Sequence, residues 1–154
     1  GVSAKEAKKF IEEYMQTFSG IAQYVADIKE QAKRIGYVET HAGRRRYIPE
    51  IHSSDPRMQG AGERIAINLP IQGLAADIMK MAMVETAKLL APFGDGVRLL
   101  LQVHDELLFE VRPKLLHDVM PLIRRAMEQA YPLHVPLTAE FKSGLNWVDL
   151  KPIS

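Results

Sequence analysis

Two carboxylates stand side by side in Val103-His104-Asp105-Glu106, with a histidine before them and apolar runs on both sides. Adjacent carboxylates repel each other and resist leaving water, so a fold holds them at low cost only where they stay solvated or face a cation. Hard divalent cations take such oxygen ligands, and Mg2+ in particular binds one or two carboxylates together with substrate phosphates. The plainer alternative is that charged residues belong at a turn in any case. A second pattern, Arg64, Asn68 and Gln72, is spaced four and four. On an uninterrupted helix the three share a face, and such side chains donate to phosphates and to base or minor-groove acceptors. A solvated helix face shows the same spacing. Pro70 falls between the last two and predicts a break, leaving the face divided between two helix ends. Arg44-Arg45-Arg46 is a basic triplet that suits phosphate contact but is also common at hairpins.

The elements that must position these groups are legible from periodicity. Ser3-Ala4-Lys5-Glu6 reads as a capping box ahead of a stripe at Ala7, Phe10, Ile11, Tyr14 and Phe18. A second stripe at Ile21, Tyr24, Val25, Ile28, Ala32 and Ile35 ends at Gly36, so residues 1–36 are predicted to be a helical pair. Residues 37–40 and 46–48 predict a short hairpin about a turn containing Gly43, followed by a loop over 51–60. A helix over 61–69 then restarts at Pro70 and runs to about Pro92, with Ile71, Leu74, Ile78, Met81, Ala82 and Leu89 inward. Met79, Met81 and Met83 read as core packing on that helix. Residues 97–111 predict a hairpin turning at His104-Asp105, with Val97, Leu99, Leu101 and Val103 on one face and Leu107, Phe109 and Val111 alternating on the return strand. Pro113 opens a last helix with Leu115, Leu116, Val119, Ile123, Ala126 and Ala130 inward, and 137–142 reads as a final strand. The fold class is therefore α+β, helices flanking a small antiparallel β-sheet, in three stretches: 1–36, 37–60 and 61–154.

Composition narrows the function classes. At 154 residues, 47% hydrophobic and 25% charged, the chain suits one globular domain and excludes disorder. Without cysteine there is neither a disulfide framework nor a thiolate zinc site. The longest apolar stretch, Val97 to Val111, carries Gln102, His104, Asp105 and Glu106 in its middle and is too short and too charged for a membrane span. No secretory signal opens the chain, so a soluble, cytoplasmic protein is expected. The net charge is only +1, yet residues 33–64 alone hold an excess of +3, a hint of a polyanionic partner or of a solvated loop.

Taken together, Gly43-Arg44-Arg45-Arg46-Tyr47-Ile48-Pro49, the run Glu63 to Gly73, Ala75-Ala76-Asp77 with Lys80, Val103-His104-Asp105-Glu106 and Gly144-Leu145-Asn146-Trp147 resemble, in order and spacing, the C-terminal part of family A DNA polymerases of the bacterial DNA polymerase I type. The resemblance covers essentially the whole chain. It departs at Leu74, where the family usually has Thr, and at His41-Ala42, which replace a bulky apolar pair. It implies a palm segment with part of the fingers, in which Asp105 is the second metal-binding aspartate and Glu106 an auxiliary carboxylate beside it. Two Mg2+ ions would serve the complete site, with deoxynucleoside triphosphates and primer-template DNA as partners. It further implies that His104 lies near the primer terminus, that Arg64, Asn68 and Gln72 contact primer and template, and that Arg44, Arg45 and Arg46 contact the DNA backbone. The family's first catalytic aspartate and its triphosphate-binding fingers helix normally precede this region, so the segment is expected to need an upstream part and to be inactive alone. A noncatalytic DNA-binding module and one half of a naturally split polymerase are the alternatives; bacterial nucleoid association would follow from the main reading.

Overall fold

A computed structural model describes residues 2–153, which divide into two compact units, one up to Leu74 and one from Ala75. In the first unit, helix α1 spans Ala4–Thr17 and opens with the expected capping box: the Glu6 N–H donates to Ser3 Oγ (3.3 Å) and the Ser3 N–H donates to Glu6 Oε2 (2.9 Å). Helix α2 spans Ser19–Ile35 and ends at Gly36, whose φ of 77° is the left-handed cap that a side chain would strain. The α1 stripe, expected to pack inward, has no buried member, and Phe10 is 69% exposed. Strands β1 (Tyr37–Glu39) and β2 (Arg45–Tyr47) form the expected hairpin.

The expected loop over 51–60 is largely helical. A 3-10 turn covers Pro49–His52, and helix α3 begins at Pro56, because Asp55 caps it by accepting the Arg57 N–H at 2.8 Å. The expected break at Pro70 is also absent: α3 runs unbroken over Pro56–Leu90. An internal proline costs a helix about 3 kcal/mol or more through its missing donor and ring clash. Tertiary bracing within the first unit holds the segment helical nonetheless. Gly62 packs so closely on Ile51 that a Cβ there would lie 2.7 Å from the Ile51 nitrogen, and Tyr24 on α2 donates to the Ile67 carbonyl at 3.0 Å. Beneath this contact Ala32, Val38, Ile48, Ile51 and Ala66 form a buried cluster.

In the second unit, α3 ends at Leu90 and a 3-10 stretch Ala91–Gly96 leads into strands β3 (Val97–Val103) and β4 (Glu106–Val111). Helix α4 (Leu116–Glu128) follows a 3-10 turn, Pro113–Leu115, and buries Val119, Ile123 and Ala126, while Ala130 falls beyond its end. Leu90, Val97, Val119 and Ile123 make the core, joined by Phe93, Phe109 and Phe141. Met81 is 40% exposed, so its assignment to the core fails, whereas Ala82 is buried.

The strand expected over 137–142 shrinks to β5, Phe141–Ser143, which pairs with β6, Lys151–Ile153. Side chains of α4 take the place of a strand neighbour just before it: Glu128 Oε1 accepts the Ala139 N–H (2.9 Å) and Arg124 Nη1 donates to the Ala139 carbonyl (3.1 Å). The strands thus make three separate two-stranded antiparallel ladders rather than one sheet, and the class is α+β.

Candidate nucleic-acid interface and metal-binding turn

Because α3 is continuous, Arg64, Asn68 and Gln72 lie on one exposed face within the first unit, advancing about 12 Å along the axis. The neighbouring face is what anchors it. Glu63 accepts Lys29 Nζ and Lys33 Nζ of α2, both at 2.8 Å. These two lysines, Lys29 above all, hold its carboxyl down at about 2. One residue further round the helix, Arg64 is turned to solvent, and its guanidinium lies back over Gly60, where an added Cβ would sit 3.6 Å from Nη1.

The Arg44–Arg46 triplet divides into different jobs. Thr40, buried at the hairpin turn, accepts the Arg44 N–H on its hydroxyl (3.2 Å) and presses its methyl against α3 at Gly73, where an added Cβ would come within 2.5 Å of Thr40 Cγ2. No larger residue fits there without displacing the hairpin. This packing carries Arg44 to the helix, where Nη2 donates to the Gly73 carbonyl at 3.3 Å, next to Gln72. Arg45 is held by Glu39 (Nε to Oε2, 2.5 Å) and lies 4.9 Å from the Tyr37 ring centroid; Glu39 first and Tyr37 second raise its pKa further. Arg46 is exposed and makes no ion pair among the described residues. The structure thus docks Arg44 on the hairpin-facing side of α3 at Gly73, about 140° round the helix from Asn68, and commits Arg45 to its own hairpin.

In the second unit, the two-residue turn His104-Asp105 joins β3 to β4, closed by the Val103–Glu106 pair. The hairpin register departs from simple alternation. A bulge between Leu99 and Leu101 makes Leu100 the extra residue, so Leu101 and Val103 join the face of Leu108 and Glu106, and Gln102 moves to the face of Leu107. The expected grouping of Leu101 and Val103 with Val97 and Leu99 is therefore wrong. One inserted residue inverts every side chain beyond it, and the turn is re-aimed with them.

His104 has φ of 54° and is the one non-glycine residue with positive φ among the described residues. Such a conformation is strained for a residue with a Cβ and concentrates at functional sites. His104, Asp105 and Glu106 are all exposed, and neither carboxylate makes a hydrogen bond or ion pair among the described residues. Their oxygens are free for a cation, and an oxygen-only pair fits the chemistry of Mg2+ as part of a ligand set. No group of three or more His, Asp or Glu side chains converges on a cation position among the described residues. The turn by itself thus presents two solvent-facing carboxylates.

Sequence reasoning missed the residues that brace these groups: Lys29, Lys33 and Tyr24 on α2, Thr40 in the hairpin and Gln102 on β3. Lys29 and Lys33, four apart on one helix, carried the signal of a paired cation awaiting an acid. The Gly144-Leu145-Asn146-Trp147 motif forms the β5–β6 connection, where Asn146 Oδ1 accepts the N–H groups of Val148 (2.9 Å) and Asp149 (3.1 Å).

Among the described residues no helix is long and apolar enough to cross a membrane. Comparison with known proteins matches residues 1–149 to the family model of DNA polymerase family A. The chain is 48% identical over 147 residues to DNA polymerase I of Pseudomonas aeruginosa, covering 96% of this chain and 16% of the relative. It is 44% identical over 151 residues to the thermostable DNA polymerase I of Thermus filiformis, covering 98% and 18%. Among solved structures it resembles the POL domain of Pol1 from M. smegmatis in complex with DNA primer-template and dNTP, with a TM-score of 0.83 and 47% identity over 88% of this chain and 24% of that one. The chain thus spans roughly a sixth of the length of these curated relatives. On the match across 149 of its residues, the chain belongs to DNA polymerase family A.

Proposed function

We propose that this chain supplies one half of a two-metal nucleotidyl-transfer site in a DNA-directed DNA polymerase, together with part of its grip on the primer-template. The observation that carries the reading is the pair of uncommitted carboxylates, Asp105 and Glu106, at the tip of a hairpin in a family A chain. Asp105 is the metal ligand and Glu106 its auxiliary. Bound there, Mg2+ would supply charge neutralisation at the primer 3′-hydroxyl and the leaving pyrophosphate.

The remaining work falls to side chains of this chain. The α3 face presents a guanidinium and two amides at fixed spacing. Arg64 suits a phosphate or a minor-groove acceptor, and Asn68 and Gln72 suit minor-groove acceptors that every correct base pair presents alike. Contacts of that kind test the shape of the terminal pair and are indifferent to its sequence. Arg44, docked on α3 at Gly73, contacts the DNA backbone from the hairpin side, and His104 stands beside the primer terminus. The solved relative, whose described complex contains primer-template DNA and dNTP, supports these partners. A first aspartate and a triphosphate-binding helix from an upstream segment would complete the site.

The test is template-directed incorporation in Mg2+, measured with the chain alone and with the upstream half supplied. Extension is expected only with both. Robust extension by the chain alone would refute the half-site, and salt-dependent DNA binding with no incorporation under either condition would instead identify a DNA-binding module.

A further inference from the structure

The carbonyl at the centre of the His104-Asp105 turn is held by a side chain. Gln102 Nε2 donates to the His104 oxygen at 2.6 Å. That oxygen belongs to the peptide joining His104 to Asp105, the central peptide of the two-residue turn. Two-residue hairpin turns come in two forms that share positive φ at the first central residue and differ by rotation of this peptide. In one the second central residue has negative φ; in the other both are positive. The structure is of the first kind, since His104 is at 54° and Asp105 is not among the positive-φ residues.

The second form is within reach here. Aspartate is one of the few residues that tolerates the left-handed region, so nothing in Asp105 itself forbids the rotated peptide. Rotation would carry the Asp105 Cα–Cβ bond to a new direction and take its carboxylate with it. The bulge at Leu100 matters for the same reason. It sets the parity that places Gln102 across from Leu107, two residues before the oxygen it holds. A strained first residue, a permissive second residue and a side-chain hydrogen bond on the peptide between them make a two-state element with a latch.

We propose that Gln102 is the positioning residue of the metal-binding turn: its amide latches the His104–Asp105 peptide in one orientation and thereby aims the Asp105 carboxylate. This inference rests on the proposed metal role of Asp105. Gln102 touches neither cation nor substrate in this role and acts only through the backbone of the turn. Residues that orient metal ligands from behind typically change metal affinity or activity by about 10–100-fold when removed.

The test uses the polymerase that carries this chain, on a dideoxy-terminated primer-template, with Mn2+ binding read by electron paramagnetic resonance so that turnover is not required. Gln102→Met keeps the length and removes the donor. Gln102→Glu keeps the shape and sets an acceptor against the His104 oxygen; the exposed position tolerates it. Both variants are expected to weaken Mn2+ binding by about tenfold, the Glu variant more, with primer-template affinity and melting temperature at wild-type values. In active complexes the Mg2+ concentration for half-maximal rate should rise while kcat at saturating Mg2+ is retained. Unchanged Mn2+ affinity in both variants, while Asp105→Ala loses it, overturns the latch alone. A lowered melting temperature with loss of rate at every Mg2+ concentration also overturns it, since that is what a plain structural role gives. Mn2+ binding unaffected even by Asp105→Ala overturns the metal reading and the latch together.

Discussion

The α3 face and the His104-Asp105 turn are held in opposite ways. The helix is tied to its surroundings at several independent points: the two lysines on Glu63, Tyr24 on the Ile67 carbonyl, Gly62 against Ile51, and Thr40 and Arg44 at Gly73. None of those bonds uses Arg64, Asn68 or Gln72. The turn has a strained residue, one side-chain hydrogen bond and two unengaged carboxylates. Under the proposed roles, the difference follows from what each would bind. Side chains that test the shape of a duplex need fixed mutual spacing, which a braced helix provides whether or not DNA is present. Carboxylates that share a cation with groups from elsewhere must keep their oxygens free until those groups arrive, so bracing can reach only the backbone beneath them.

The largest expected effect separates the two regions. In the complete polymerase, Asp105→Ala should lower incorporation by about three orders of magnitude or more, the scale of several kcal/mol of lost charge stabilisation. Primer-template affinity should stay near wild type in a gel-shift titration. Near-normal turnover would remove the distinction between the regions. Gly73→Ala should act the other way. The new methyl meets Thr40 at the hairpin contact, and relief of such overpacking costs about 1–3 kcal/mol in denaturant unfolding. Because Arg44 and Gln72 flank that contact, DNA affinity should fall with stability; loss of stability with unaltered affinity would separate the hairpin from the face.

Arg64→Ala is the finer probe of the face itself. If Arg64 meets a phosphate, the slope of log affinity against log salt should decrease by about 1, and binding should weaken to a similar degree on every template sequence. A change confined to particular sequences would mean that this guanidinium reads bases.

The order of elements was legible in the sequence, because capping signals and periodicity are local. Ser3 with Glu6, Gly36 after Ile35 and the turn at His104-Asp105 all stand where these signals place them. What was not legible depended on tertiary contacts. Pro70 carries a strong local signal for a break, and the opposing contacts come from Ile51, Thr40 and Tyr24, 19, 30 and 46 positions away in the chain, none of which periodicity can weigh. The bulge at Leu100 is likewise silent, since Leu99-Leu100-Leu101 alternates equally well in either parity. For the candidate site, residue types and spacing sufficed to single out Arg64, Asn68, Gln72, Asp105 and Glu106. The division of labour within Arg44-Arg45-Arg46 was not readable, because it turns on Glu39, Tyr37 and Thr40 across a hairpin.

The smallest effect tests whether the bracing of α3 is electrostatic at its lysine end. Glu63 carries its carboxyl at about 2 in the folded chain, depressed by hydrogen bonds from Lys29 and then Lys33, against an ordinary value of 4.5. A depressed carboxylate contributes stability that is fully present above its unfolded pKa and is lost as pH falls through the folded one. The contribution should therefore be complete above about pH 4.5 and fade towards pH 2. All three side chains are partly exposed, Lys33 by 46%, so solvent screening limits the amount to about 1 kcal/mol. Glu63→Gln should be less stable than wild type by that amount at pH 7, with the gap closing between pH 4.5 and 2 and shrinking in high salt, as urea unfolding across that range would read. A gap constant with pH would show that Glu63 braces the helix by packing alone. The helix face would then be held by its apolar and backbone contacts, which salt near the DNA cannot loosen.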